Sequence, residues 1–153
     1  MVRWLLWIHV LGGALVLGGV VAGWVCMHQA VLTGDSKVTL FAMKTLHRMN
    51  TWTLHLGALL LLISGFWMGV GAPVPLKLNS NPWLLYSVIL FFVVLYLAMA
   101  AQAPISRKVM ALAEQGVEDF PVIFSKIVAR WNLLSGINFV LLVVILFLMV
   151  FKP

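Results

Sequence analysis

Four stretches of the chain are continuously apolar: Trp4 to about Met27, about Thr51 to Val70, Pro82 to about Ala101, and about Leu133 to Phe151. Each is close to the roughly 20 residues that a helix needs to cross the hydrocarbon core of a bilayer. None shows the apolar/polar alternation of a membrane-spanning strand of about 10 residues. In lipid, a helix of this length satisfies its own backbone groups. The pattern predicts an all-α chain, one integral membrane domain over residues 1–153, built as a four-transmembrane-helix bundle. Arg3 followed by an apolar run imitates a secretory signal, but the run exceeds the usual apolar core of about 7–15 residues. No small-x-small cleavage site follows before His28-Gln29, so the stretch is read as a retained first span.

The segments between the spans also carry helical patterns. Asp35 or Ser36 can cap a helix through Leu46. Ile105, Val109, Leu112 and Ala113 share one helical face, with Gly116 as a stop. Pro121 suits the first turn of a helix running into span four. The helices are thus expected to continue past the membrane and to be joined by short turns near Gly34 and Gly116. The segment from Gly71 to Asn81, with Pro73 and Pro75, reads as extended. Arg48-Met-Asn50 at the entry of span two recurs as Arg130-Trp-Asn132 at the entry of span four, 82 residues later, which suggests two helical hairpins of related origin.

Composition narrows the class further. Hydrophobic residues make up 63% of the chain and charged residues 9%, against about 25% charged in soluble domains. That excludes a water-soluble globular domain, and the same numbers exclude disorder. The single cysteine, Cys26, lies in an apolar run and excludes a disulfide scaffold. The basic residues are unevenly placed. Lys37, Lys44, Arg48, Arg107, Lys108, Lys126 and Arg130 lie in the first and third loops, and only Arg3, Lys77 and Lys152 lie on the other side. The positive-inside rule then places both termini outside and loops one and three in the cytoplasm. All four acids, Asp35, Glu114, Glu118 and Asp119, fall on the loop side. The net charge of +6 has no soluble basic domain to carry it toward nucleic acid.

The candidate chemistry rests on histidine. His9 lies in span one, His28 follows it, and His47 and His55 flank the start of span two. A histidine in a bilayer marks a functional site by default, and neutral imidazole is a good ligand for haem iron. A bis-histidine haem needs two rings at nearly one depth. If spans one and two share a midplane, His9 and His55 fall in opposite leaflets. If span two instead runs as one helix from Ser36 after a tight turn at Gly34, they come within about one turn, 5.4 Å. Membrane matching favours the first register and capping at Asp35-Ser36 favours the second.

Gly12, Gly19 and Gly23 form a small-residue stripe on span one. It suits close helix packing, inside the bundle or across a homo-oligomer or other membrane subunits, or a flat wall beside a planar cofactor. Arg48 lies seven residues from His55 on one helix face. With Arg130, Asn132, Ser135 and Asn138 it could form a polar vestibule for a haem propionate, a substrate carboxylate or a lipid phosphate. Trp4, Trp7, Trp67 and Trp83 on one side, and Trp24, Trp52 and Trp131 on the other, read as aromatic belts. Met27, Met43 and Met49 beside Cys26 and His28 form a loose soft-ligand cluster that copper(I) would favour. Neither a Cys-x-x-Cys pair nor a phosphate loop, HExxH or nucleophile motif occurs.

WIHVLGGALVLGG in span one, HRMNTWTLHLGALLLLISGFWMG in span two, NPWLL opening span three, APISRKVMAL after it and the ending LMVFKP carry a family resemblance. The chain resembles a group of small bacterial four-helix membrane proteins. It is nearest to an uncharacterised integral membrane family, and similar to the copper-resistance protein CopD and to HemJ-type protoporphyrinogen oxidase. The HemJ-type resemblance implies a haem b protein that oxidises a porphyrinogen. His9 matches the histidine early in their first span, Arg48 the arginine before their second, and Trp83 the tryptophan before their third. Their lysine falls at about Ser87 here, and span three holds no lysine. The CopD resemblance implies copper passage across the inner membrane.

The leading expectation is haem b binding with a redox role, through His9 and His55 as iron ligands and Arg48 as a further cofactor contact. The alternatives are a non-catalytic subunit of a larger membrane complex, packed through the span-one glycines, and a copper or small-solute transporter using Met27, His28 and His47.

Overall fold

The computed structural model describes residues 2–70, 81–115 and 120–152. Its elements are α1 (Val2–Thr33), α2 (Ser36–Val70), α3 (Pro82–Tyr96), a π-helical segment (Leu97–Gln102), α4 (Ala103–Gln115) and α5 (Phe120–Phe151). The described residues form no strand, and four helices are long and apolar enough to cross a membrane. The expected all-α four-span architecture is therefore present. Gly116 and the segment from Gly71 to Ser80 lie outside the described residues.

The turn between α1 and α2 is made at Gly34, whose φ of +63° is left-handed, a conformation that costs glycine nothing. Asp35 then caps α2: its Oδ1 accepts the Lys37 N–H at 2.7 Å and its carbonyl accepts the Thr39 N–H at 3.0 Å. With its first turn satisfied, α2 runs unbroken for 35 residues. The long helix from Ser36 that the second register assumed is present, but the hairpin it forms does not bring His9 and His55 within one turn as that register implied. The helices leave the apolar runs and continue well beyond them at the end that carries the loop lysines and arginines, called here the basic end.

α1 and α2 form an antiparallel hairpin. α1 also packs on α5, α3 packs on α5, and α4 packs on α2. The helix that begins as α3 thus changes partner after its π segment, from α5 alone to α5 and α2.

Two kinds of packing hold this arrangement. At the basic end Met27, Met43, Leu46, Val109, Ala113, Phe124, Val128 and Trp131 form one buried cluster from α1, α2, α4 and α5. Most of these lie outside the four apolar runs, where water is the competing solvent and each large side chain buried contributes about 1.5–3 kcal/mol. Trp131 is therefore a core residue at 5% exposure, not a member of an aromatic belt.

Within the spans, lipid is as apolar as leucine and close contact does the work instead. A Cβ on Gly12 would sit 2.9 Å from the Gly57 carbonyl oxygen, and one on Gly57 would sit 2.9 Å from that of Gly12. A Cβ on Gly19 would lie 2.8 Å from Thr53 Oγ1, and one on Gly23 3.3 Å from Leu46 Cδ1. The glycine stripe is thus consumed inside the chain's own hairpin. It is not available as a face for another subunit or for a flat cofactor, which corrects that expectation.

Leucine at Gly12 or Gly57 is expected to cost about 1–3 kcal/mol through overpacking. Leucine at Gly18, where a Cβ meets nothing within 4 Å, should stay within about 0.5 kcal/mol of the parent. Denaturation in mixed detergent–SDS micelles, followed by helicity, checks both.

Candidate functional site

His9 is the one histidine set into the interior. It is half-buried on α1, and its Nδ1 lies 2.9 Å from Ser64 Oγ on α2. Ser64 is 1% exposed, and its hydroxyl proton is already donated to the Leu60 carbonyl one turn back. A hydroxyl has one proton to give. Ser64 therefore accepts, and the Nδ1–H of His9 donates. The imidazole is held as the Nδ1–H tautomer, with the lone pair on Nε2.

The space for the ring comes from Gly65: a Cβ there would lie 3.2 Å from His9 Cε1 and 3.6 Å from Nδ1. The close approach at Gly12 and Gly57, one to two turns further along, brings the helices near enough for this contact. An imidazole oriented by a hydrogen bond from Nδ1, with Nε2 free, is the usual state of a histidine that ligates a metal.

The structure does not bring His9 and His55 together. Ser64, opposite His9, is nine residues from His55 along α2, or about 13 Å at 1.5 Å per residue. His55 is exposed and turns its ring to its own helix, Nδ1 lying 2.8 Å from the Thr51 carbonyl. Arg48 is 16 residues from Ser64, about 24 Å along the axis, and lines a cleft at the basic end. The three residues expected to share one haem thus sit at three depths: the hairpin register sets His9 opposite Ser64, about two and a half turns from the level of His55.

His28 is exposed, with its ring centroid 6.4 Å from that of Trp24. His47 is exposed at the basic end, whereas Met27 and Met43 are each 1% exposed in the apolar cluster. Met27 thus turns into the apolar cluster while His28 and His47 are exposed. Among the described residues, three or more of His, Cys, Asp and Glu nowhere gather as a metal-binding group.

The polar vestibule also divides. Arg48 and Arg130 line separate clefts. Ser135 and Asn138 turn inward and meet Gln102, whose Nε2 donates to Ser135 Oγ at 3.0 Å and whose Oε1 accepts from Asn138 Nδ2 at 3.3 Å. Asn138 is 1% exposed, and its Oδ1 has no hydrogen-bond partner. Gln102 ends the π segment, one residue past the expected end of span three. The signal that could have found it is a lone amide at the end of an apolar run, on the helix facing the Ser135–Asn138 pair.

The chain from residue 3 to residue 153 matches the model of a family described as predicted integral membrane protein (DUF2269). The chain belongs to this family. No curated protein and no solved structure matches it. Membership over nearly the whole length, together with the four apolar helices, makes this chain a multi-pass integral membrane protein.

In haem-free protein labelled with ¹⁵N-histidine, His9 is expected to show a protonated Nδ1 and an unprotonated Nε2 at neutral pH. Replacing Ser64 with alanine should remove the acceptor and raise the share of the opposite tautomer. An Nε2–H tautomer in the parent protein would contradict this assignment.

Proposed function

We propose that this protein binds haem b through Nε2 of His9 and has a redox role in the bacterial inner membrane. The observation that supports this reading is the donation from His9 Nδ1–H to Ser64, which orients the ring and leaves one good nitrogen ligand free. The donor set fits a group held by one imidazole from this chain. His55 and Arg48 are too far along α2 to serve the same iron. Bound haem would supply one-electron chemistry. The chain's own residues orient the ligand and fix its tautomer.

Oxidation of a porphyrinogen is the specific form of this reading. It rests on the resemblance to HemJ-type proteins at His9, Arg48 and Trp83, with Ser87 standing where those proteins have lysine. Here Ser87 is buried and its hydroxyl is donated to the Trp83 carbonyl at 2.7 Å. The placement of both termini in the periplasm is supported by the seven basic residues of the loop end against three at the other.

The test is an absorption spectrum of detergent-purified protein from cells supplied with haem precursor, oxidised and then reduced. A Soret band with reduced α and β bands is expected, at near one haem per chain. His9→Ala should abolish it, His55→Ala should leave it, and Ser64→Ala should weaken haem affinity about 10- to 100-fold. A colourless, folded protein, or colour that survives His9→Ala, would overturn the proposal.

A further inference from the structure

Two basic clefts flank α4 at the basic end. The first, of about 350 Å³, is lined by Lys44, His47, Arg48, Thr51 and Trp52 of α2 and Met110 of α4. The second, of about 190 Å³, is lined by Ile105 and Lys108 of α4 and Lys126, Ile127 and Arg130 of α5. Their key cations correspond: Lys44 and Arg48 recur as Lys126 and Arg130, each pair one helical turn apart and each 82 residues from its counterpart. The correspondence continues inward. Leu46 and Val128, at the matching positions, are both 3% exposed in the same core cluster. Asn50 and Asn132 both keep a buried Oδ1 with no hydrogen-bond partner. The two helix entries are built alike down to these side chains, and α4 is the shared wall between them.

Depth and charge identify the ligand class. The apolar run of α2 begins at about Thr51 and that of α5 at about Leu133, so Arg48 and Arg130 each stand three residues before it. That is the headgroup layer, which adds about 5–7 Å on each side of the hydrocarbon. Trp52, 71% exposed, is placed as an interfacial anchor beside the first cleft. Among the described residues the one ion pair is Lys44–Glu114 at 2.8 Å, which ties α2 to α4 at an exposed site worth at most about 1 kcal/mol. Arg48, Lys108, Lys126 and Arg130 have no carboxylate partner among those residues. An apolar floor with a cationic rim at headgroup depth suits a phosphodiester with acyl chains attached.

We propose that these two clefts are paired binding sites for anionic glycerophospholipid, one held by Arg48 beside the Lys44–Glu114 ion pair and the other by Arg130 with Lys126 and Lys108. The sites are independent of the haem reading and lie at the opposite end of the bundle from His9. By holding a headgroup on each face of α4, they would fix the helix that changes partner after its π segment.

Native mass spectrometry of the purified full chain, with phosphatidylglycerol or phosphatidylcholine supplied in the detergent, tests this. The parent is expected to retain two phosphatidylglycerol molecules and to discriminate against phosphatidylcholine. Arg48→Gln and Arg130→Gln should each leave one retained lipid, with about fivefold weaker binding at the altered cleft. Lys37→Gln/Arg107→Gln, which removes two charges outside both clefts, should keep two. Equal loss in that control, retention of both lipids in the cleft variants, or equal retention of phosphatidylcholine would overturn the proposal. So would a thermal stabilisation by inorganic phosphate as large as that by phosphatidylglycerol, because a free anion would then suffice.

Discussion

The contact between Gly12 and Gly57 is the constraint from which the rest of the bundle follows. Each glycine faces the other's carbonyl oxygen at a distance that no side chain would permit, and at that spacing weak Cα–H···O contacts add to dispersion. Two helices held so close cannot slide without a clash at Leu60, Leu61 or Val16. The register fixed there sets His9 against Ser64 and Gly65 at one end. It sets Met27 and Met43 in one cluster at the other. The placement of the candidate ligand and the meeting of Met27 with Met43 are therefore consequences of one packing decision, made where the side chains are smallest.

The molecule answers to two solvents. At the basic end the helices project beyond their apolar runs, and an ordinary hydrophobic core of methionine, leucine, valine, phenylalanine and tryptophan forms among four helices. Inside the spans that driving force is absent, and the large apolar side chains turn outward: Phe66, Phe92, Val140 and Leu146 are all more than half exposed to what would be lipid. What lies inside is small or polar. Ser64 holds His9, and Gln102 holds Ser135 and Asn138. Such bonds are worth about 0.6 kcal/mol on average in a membrane protein, so their value lies in specifying which helices meet.

Much of the fold could be read from the sequence because its signals are local. The four apolar runs, the Gly34 turn, the Asp35 cap and the buried face of Val109 and Ala113 each depend on residues within a turn or two. Register is a relation between helices and has no local signature. The turn at Gly34 and the cap at Asp35 narrowed it to one of two choices, but only the Gly12–Gly57 contact placed His9 opposite Ser64 rather than near His55. The glycine stripe was visible, yet its partner was not, since small residues suit a neighbouring subunit as well as the chain's own hairpin. Trp131 was hidden for a related reason: a tryptophan at a helix entry fits an aromatic belt and a core equally well until the neighbouring helices are placed. Gln102 was missed because a π segment shifts the helical phase, and no apolar periodicity predicts that shift.

The most direct test of this account is the register of α1 against α2, read by through-space solid-state NMR on protein in lipid, with labels at His9 and in α2. The account predicts cross-peaks from His9 Cε1 to Gly65 and Ser64, and none to residues near His55. Cross-peaks from His9 to Leu59 or to His55 itself would contradict it: the hairpin would then be shifted by about a turn or more, and the orienting bond from Ser64 to the candidate ligand would not exist.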